Sequence, residues 1–197
     1  MRGIPAADAV RPTEIPSLFL LPAGKDLVGA GLELADIEER EFVLRQVLEP
    51  LRGRYHTILV DSPPSLGLLT VNVLVAADGV LVPIQCEYLA MEGLSDLLDT
   101  IARVRVAFNP SLQLVGIVLT LYDERLNLCR QVEEDLRSHF DGKVFDTVIP
   151  RNVRLAEAPS FGKPILLYDA KSRGTTSYLN LAKELLQYEK ESTGPRN

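Results

Sequence analysis

The sequence contains no tryptophan and is poor in cysteine, histidine and aromatic residues. Its 197 residues include two cysteines and two histidines, and aromatic residues make up 6% of the chain. Cys86 and Cys129 fit none of the paired spacings of zinc or redox motifs, which argues against a disulfide framework and predicts a reducing, cytoplasmic setting. No stretch reaches eighteen uninterrupted apolar residues. The sequence therefore predicts no membrane-spanning helix.

The composition that remains is typical of a folded α/β domain. Hydrophobic residues make up 46% of the chain, charged residues make up 24%, and the net charge is -6. A chain this apolar buries enough surface to offset the entropy of ordering, and its length suits one domain with a full core. We therefore expect a single domain over residues 1–190 and a frayed tail over residues 191–197.

Positive charge is concentrated in one segment of this acidic chain. Residues 147–174 hold five basic and two acidic residues, which gives a local charge of +3 and leaves -9 for the rest. Arginine and lysine release condensed counterions when they bind phosphates, so this segment is a candidate for contact with a nucleotide or a nucleic-acid backbone. A solvated charged face is the alternative.

Apolar runs typical of buried strands alternate along the chain with segments of helical periodicity. This alternation predicts a three-layer α/β fold, in which a mostly parallel, twisted sheet carries helices on both faces. Asp36 with Glu39 resembles a capping box, and Ser65 is placed to cap the helix that follows it. The predicted strands are residues 18–21, 57–60, 79–85, 112–121, 144–149 and 165–168, and the predicted helices are residues 36–51, 65–77, 89–108, 125–140 and 175–189.

Polar side chains follow three of these predicted strands. Ligands bind at the carboxyl ends of the strands in an open parallel sheet, so these positions are the candidate functional residues. Asp61 either holds a Mg²⁺-bound water or caps a turn. Asn152 either reads a base edge or caps the next helix, while Arg154 offers a planar fork to phosphate. Arg125 belongs with the polar cluster at 120–123, at the end of the predicted strand 112–121, and stands at the start of the helix predicted over 125–140.

Four longer segments carry a family pattern. They are YHTILVDSPPSLGLL (55–69), PIQCEYLAMEGL (83–94), LTLYDERLN (119–127) and VIPRNVRLAEAPSFGKPILLY (148–168). Together they resemble the ParA/Soj family of chromosome- and plasmid-partitioning ATPases, and the likeness extends over nearly the whole chain.

The resemblance implies a role for each candidate residue. Asp61 matches the Walker-B acid that holds Mg²⁺ through water, and Pro150, Arg151 and Asn152 match the loop that packs on and reads adenine. Arg125 and Arg154 match basic residues that bind DNA without sequence specificity. The resemblance further implies ATP and Mg²⁺ as cofactors, a ParB-like partner, a homodimer or higher association, no membrane attachment, and a nucleoid-associated, cytoplasmic location.

The chain departs from the family pattern at the phosphate-binding loop. Its three Gly-Lys pairs begin at Gly24, Gly142 and Gly162, and none is followed by the Ser or Thr of a P-loop. We therefore expect a P-loop NTPase-like core that lacks its first two strands and does not hydrolyse ATP by itself. The predicted strand 57–60 then has an open, apolar edge that favours self-association.

Three classes of function stay open at this point. The first is a partition ATPase that is N-terminally truncated relative to the family. The second is a non-catalytic ParA-like interaction or regulatory module, and the third is another nucleotide enzyme of the superfamily, such as a cobyrinate amidase-like protein.

Overall fold

The computed structural model describes residues 4–63, 65, 67–88 and 90–192. The chain divides into two compact units. The first unit comprises Met1–Gly79 and Leu97–Leu112, and the second comprises Val80–Asp96 and Gln113–Asn197. That residues 1–190 form a single domain stays a prediction.

The first unit consists of short helices and one small sheet. Strands β1 (Arg11–Pro12) and β2 (Phe19–Leu20) pair antiparallel, with Arg11 opposite Leu20. The helices are α1 (Ala6–Ala9), α2 (Ala30–Glu33), α3 (Val43–Leu48) and α4 (Leu68–Ala76), and 3₁₀ turns cover Lys25–Gly29, Arg40–Phe42 and Glu49–Leu51. Helix α5 (Ala90–Ala107) belongs to this unit from Leu97 onward.

Two buried asparagines fix the helices of the first unit. Asn72 accepts a hydrogen bond from the backbone N–H of Leu44 at 3.0 Å and donates one to the carbonyl of Arg40 at 2.8 Å. Asn109 donates to the carbonyls of Leu74 and Ala77 at 3.0 and 2.8 Å, so it satisfies carbonyl groups at the end of α4. The apolar core around them contains Leu48, Leu51 and Ala76, with Ala6, Ala7, Val10, Leu44 and Tyr55 packed against it.

The second unit is built around extended segments that pair with β4. Strand β3 (Gly79–Gln85) is hydrogen-bonded to β4 (Gln113–Thr120). Residues 144–150 run parallel to β4 through two isolated bridges, Ile117 with Val144 and Tyr122 with Pro150. The helices are α6 (Asn127–His139), α7 (Val153–Glu157), α8 (Ile165–Tyr168) and α9 (Arg173–Ser192), with a 3₁₀ turn over Ala158–Phe161. The core contains Val118, Phe145, Ile149 and Leu181.

Several predicted elements are confirmed. The strand at 79–85 matches β3, and β4 lies within the predicted 112–121. Helices α5, α6 and α9 match the predictions over 89–108, 125–140 and 175–189, although Leu89 lies outside the described residues. Of the tail predicted over 191–197, residues 193–197 also lie outside them. In the described part of the chain, every helix is too short or too polar to cross a bilayer.

The predicted buried strand over residues 57–60 is wrong. This segment has no regular secondary structure, and Leu59 is 82% exposed while Ile58 and Val60 are 39% exposed. A strand needs a hydrogen-bonded neighbour, and among the described residues no strand pairs with this run. Its apolar side chains are therefore exposed, and the expected open strand edge is absent because no strand forms here.

Other local predictions are corrected by neighbouring structure. The helix predicted over 36–51 begins only at Arg40, because Glu39 adopts a left-handed φ of 54° and gives no side-chain cap. Gly67, not Ser65, is the N-cap of α4. Residues Ile165–Tyr168 form a single helical turn, whereas the sequence predicted a strand. A run of four apolar residues is too short to show a periodicity, so the sequence does not distinguish a helix from a strand here.

The predicted three-layer sheet is represented only in part. The described residues contain two-stranded sheets. Residues 144–149, predicted as a strand, donate backbone hydrogen bonds to the carbonyls of Ile117 and Leu119 in β4 but form an isolated bridge instead of a regular strand.

Candidate functional site

The loop that follows β4 is joined to the loop that contains Asn152. Leu121, just after β4, has a left-handed φ of 50°, which turns the chain sharply at this point. The backbone N–H of Tyr122 donates to the carbonyl of Ile149 at 3.0 Å, and the N–H of Arg151 donates to the carbonyl of Tyr122 at 2.9 Å. The two predicted polar clusters at 120–125 and 150–154 therefore lie side by side.

A side-chain network ties this loop to α6. The hydroxyl of Tyr122 donates to the carboxylate of Glu133 at 2.6 Å, and Glu133 pairs with Arg137 at 3.0 Å. Arg137 also donates to the carbonyl of Phe145 at 3.2 Å, in the segment that leads to Pro150. The hydrogen bond to Glu133, with a smaller effect of burial, raises the pKa of Tyr122 to about 12.

The raised pKa of Tyr122 predicts that this tyrosine loses its proton at a higher pH in the folded chain than in the unfolded chain. The folded chain holds this proton more tightly than the unfolded chain, whose tyrosines titrate near 10.0. The contribution of the hydrogen bond to stability is therefore full below about pH 10 and is lost as the pH rises through about 12. Tyrosinate absorbance should show a late phase that Tyr122→Phe removes. Tyr88→Phe, at a side chain that is 86% exposed, should retain it, and a late phase that survives in Tyr122→Phe would contradict the network.

Arg125 is held by a carboxylate two residues before it. Its Nε and Nη2 atoms donate to the two carboxylate oxygens of Asp123 at 2.9 and 2.7 Å. The side chain of Arg125 is 84% exposed, whereas that of Asp123 is 15% exposed. The hydrogen bonds from Arg125, with a smaller contribution from Arg151, lower the pKa of Asp123 to about 2.

Asn152 and Arg154 lie at the start of α7. The Oδ1 atom of Asn152 accepts the backbone N–H of Arg154 at 2.8 Å, so the helix-capping alternative for Asn152 is confirmed. Among the described residues, only this oxygen of the amide is engaged, and the amide NH₂ group is left for another acceptor. The guanidinium of Arg154 pairs with Glu157 at 3.0 Å and Asp169 at 3.5 Å.

Asp61 belongs to the first unit. It is exposed and follows the irregular apolar segment 57–60. A lone exposed carboxylate fits a Mg²⁺ ion that keeps most of its waters, because hard cations take oxygen ligands. No group of three or more metal-ligating side chains occurs within the described ranges. That Asp61 holds Mg²⁺ stays a prediction.

The two cysteines are buried free thiols. Cys86 is 8% exposed and Cys129 is 1% exposed. Burial, together with the neighbouring Cys129, raises the pKa of the Cys86 thiol to about 12. A thiol that holds its proton so tightly is a poor nucleophile and metal ligand.

Sequence reasoning missed the acidic partners of this surface. Glu133, Glu157 and Asp169 were not candidates, although each contacts a residue of the two loops. The spacing of Arg154 and Glu157, three residues apart on one helix, could have predicted their ion pair. The contact with Asp169 depends on the fold and had no local signal.

Comparisons with known proteins define the class of this chain. A family model described as an AAA domain matches residues 2–114. Cobyrinic acid a,c-diamide synthase from Mycobacterium smegmatis superimposes with a TM-score of 0.81 at 35% identity, over 96% of this chain and 70% of that structure. These likenesses define a P-loop NTPase fold of the ParA/MinD kind.

Sequence relatives then give the family. The chain is 52% identical over 193 residues to the chromosome partitioning protein ParA of Caulobacter vibrioides, which covers 97% of this chain and 72% of that protein. It is 50% identical over 178 residues to the sporulation initiation inhibitor protein Soj of Bacillus subtilis, over 90% of this chain and 70% of that protein. The chain belongs to the ParA/Soj family of chromosome-partitioning proteins.

Proposed function

We propose that this chain acts in DNA segregation by binding duplex DNA without sequence specificity through Arg125 and Arg154. The observation that carries the proposal is the 52% identity to a chromosome partitioning protein over 193 residues. It is supported by the two arginines, whose side chains are 84% and 55% exposed on loops joined by backbone hydrogen bonds. Exposed arginines on a fixed loop suit phosphate contacts, which carry no sequence information.

The identity also separates the classes left open by the sequence. Identity to the partitioning proteins is 50–52%, whereas identity to the cobyrinic acid synthase is 35%. The higher values favour a partitioning protein over a cobyrinate amidase. A nucleoid-associated location and a ParB-like partner belong to the same proposal.

The proposed DNA binding predicts a steep dependence on salt. Each phosphate that a protein neutralises contributes a slope of about -0.9 to the plot of log affinity against log salt concentration. With contacts from Arg125 and Arg154, the slope should be about -2 or steeper. Fluorescence anisotropy of a short labelled duplex of arbitrary sequence, titrated at several salt concentrations, measures this slope. Affinity that does not change with salt, or no binding at the lowest salt, contradicts the proposal.

The same chain is proposed to contact ATP and Mg²⁺ through the residues that match the family pattern. Asp61 would hold a Mg²⁺ ion through water, and Pro150, Arg151 and Asn152 would contact adenine. The NH₂ group of Asn152 is the chemical support, because a base edge offers nitrogen acceptors for it. When bound, ATP supplies the phosphate groups that ATPases of this family hydrolyse.

Nucleotide binding predicts a selective change in the NMR spectrum. Mg²⁺-ADP at millimolar concentration should shift the side-chain amide signals of Asn152. Those of Asn109 should stay fixed, because this amide is buried and bonded to backbone carbonyls. Weak binding is expected because none of the three Gly-Lys pairs forms a P-loop. Equal shifts at both asparagines, or none at either, would contradict the assignment.

A second candidate is a ParA-like module that does not turn over nucleotide. It is the alternative left open by the three Gly-Lys pairs, none of which matches a P-loop. In this candidate the DNA surface operates alone and the chain does not hydrolyse ATP. The Asn152 titration separates the two candidates, since only the first requires nucleotide at the 150–152 loop.

Association into a homodimer is part of the proposal. The exposed apolar segment around Leu59, which is 82% exposed, supports it because exposed apolar surface favours contact with another protein chain. The wider three-layer parallel sheet is likewise proposed on the strength of the fold neighbours.

A further inference from the structure

Both proposed DNA-binding arginines are already paired with carboxylates. Arg125 donates to both oxygens of Asp123 at 2.9 and 2.7 Å, and its own backbone N–H donates to the same carboxylate at 3.1 Å. Arg154 lies within 3.0 Å of Glu157 and 3.5 Å of Asp169. These two arginines therefore have three carboxylates within 3.5 Å.

The pairing of Arg125 occupies one of the two donor pairs through which a guanidinium binds an oxyanion at two points. Its Nε and Nη2 atoms form the parallel pair of donors that binds an oxyanion in two-point fashion. A phosphate that approached Arg125 would meet only the remaining N–H groups and would also be repelled by Asp123. The carboxylate therefore competes with phosphate for the charge of Arg125 and for one of its two donor pairs.

The Asp123 carboxylate is fixed beside Arg125 and stays ionised, so it is always available to compete with phosphate. The next residue before it, Tyr122, is fixed by backbone bonds to Ile149 and Arg151, so the position of Asp123 is set by the core of the unit. The pKa of Asp123 is lowered to about 2, chiefly by its hydrogen bonds from Arg125. The group therefore stays ionised, and the competition does not depend on pH in the neutral range.

We infer that Asp123 sets the affinity of this surface for DNA by competing with phosphate for Arg125, and that Glu157 does the same at Arg154. The inference rests on the proposed DNA binding. It assigns the two carboxylates a specific role: they hold non-specific binding weak by pairing with the arginines that contact phosphate. Neither of them donates to DNA, and their effect is on the arginines alone.

The test is the affinity of the full chain for a short labelled duplex, measured in Asp123→Asn. Asparagine keeps an oxygen that can accept the backbone N–H of Arg125, so the turn is retained while the charge is removed. The matched control is Asp141→Asn, which makes the same change in net charge beyond the far end of α6. The 13 residues of α6 separate the two sites by about 20 Å, which is well beyond the screening length of about 10 Å at moderate salt.

We expect Asp123→Asn to bind DNA about two- to fivefold more tightly than Asp141→Asn, as is typical of removing one partner of an exposed ion pair. Glu157→Gln should give a gain of similar size. Adding Arg125→Ala to Asp123→Asn should abolish the gain, because the carboxylate acts only through that arginine. An unchanged melting temperature confirms that each variant is folded.

The outcomes separate this inference from the proposed function. If Asp123→Asn binds no more tightly than Asp141→Asn while Arg125→Ala weakens binding, DNA binding stands and the competition is refuted. If Asp123→Asn binds more weakly than the unmodified chain, the carboxylate positions Arg125 for phosphate and the inference is wrong. If no form of the chain binds duplex DNA at low salt, both the proposed function and the inference fail.

Discussion

Replacing Arg125 and Arg154 together with alanine is expected to weaken duplex DNA binding by about tenfold or more at moderate salt. The slope of log affinity against log salt concentration should become shallower by about two, because two phosphate contacts are removed. Anisotropy titrations at salt concentrations between about 50 and 200 mM measure both quantities. The two arginines are suited to this test because each is exposed and neither is part of the apolar core.

The control for this pair removes two positive charges elsewhere in the same unit. Lys143 lies at the start of the segment that ends at Pro150, with its Nζ atom 5.6 Å from the ring centre of Tyr188. Lys190 lies two residues after Tyr188 on α9. Lys143→Ala with Lys190→Ala should leave the salt slope close to that of the unmodified chain. Equal losses in the two double variants would show that net charge, and not this surface, determines binding.

Replacing Gly116 with alanine is expected to lower the free energy of unfolding by about 1–3 kcal/mol. A Cβ atom at this position would lie 2.6 Å from a ring carbon of Phe145 and 2.9 Å from the carbonyl oxygen of Lys143. The carbonyl belongs to the backbone that pairs with β4, because the N–H of Ile117 donates to it at 2.7 Å. The extra methyl group therefore forces apart the pairing that leads to the 150–154 loop.

Urea denaturation of Gly116→Ala, compared with Gly93→Ala, measures this effect. Gly93 lies within α5, and a Cβ atom there meets nothing within 4 Å. Gly93→Ala should be neutral or stabilising, since alanine has the higher helix propensity. If Gly116→Ala is as stable as Gly93→Ala, the close approach of the two segments is contradicted.

The sequence was most informative for helices and strands whose formation is indicated by their own residues, without a distant partner. Strand β3 matches its prediction because a run of β-rich apolar residues ends at Gln85. Helices α6 and α9 carry a regular apolar stripe over thirteen and twenty residues, and such long periodic segments are the most reliable signals. These elements needed no knowledge of their neighbours.

Predictions failed where the outcome depends on a distant partner. Residues 57–60 have the composition of a buried strand, yet Leu59 is exposed because no described strand pairs with it. The helix near Arg40 begins after the left-handed Glu39 and is held by Asn72, which is 32 residues away in sequence and donates to the Arg40 carbonyl. A capping pattern at Asp36 carries no information about that contact.

The candidate site likewise contains residues that the sequence identified and partners that it did not. Asn152 was recognised as either a helix cap or a base reader, and the capping role is confirmed while the base-reading role stays a prediction. The exposed arginines at 125 and 154 were recognised, but their carboxylate partners were not. Asp169 reaches Arg154 only because α7 and α8 pack together in the second unit.

The central claim is that the loops around Arg125 and Arg154 form the surface that contacts DNA. Hydrogen–deuterium exchange of the chain with and without a short duplex tests this claim most directly. The account predicts slower exchange in residues 121–125 and 151–155 and no change in residues 57–63 of the first unit. Protection confined to residues 57–63, with the two arginine loops unchanged, would contradict it.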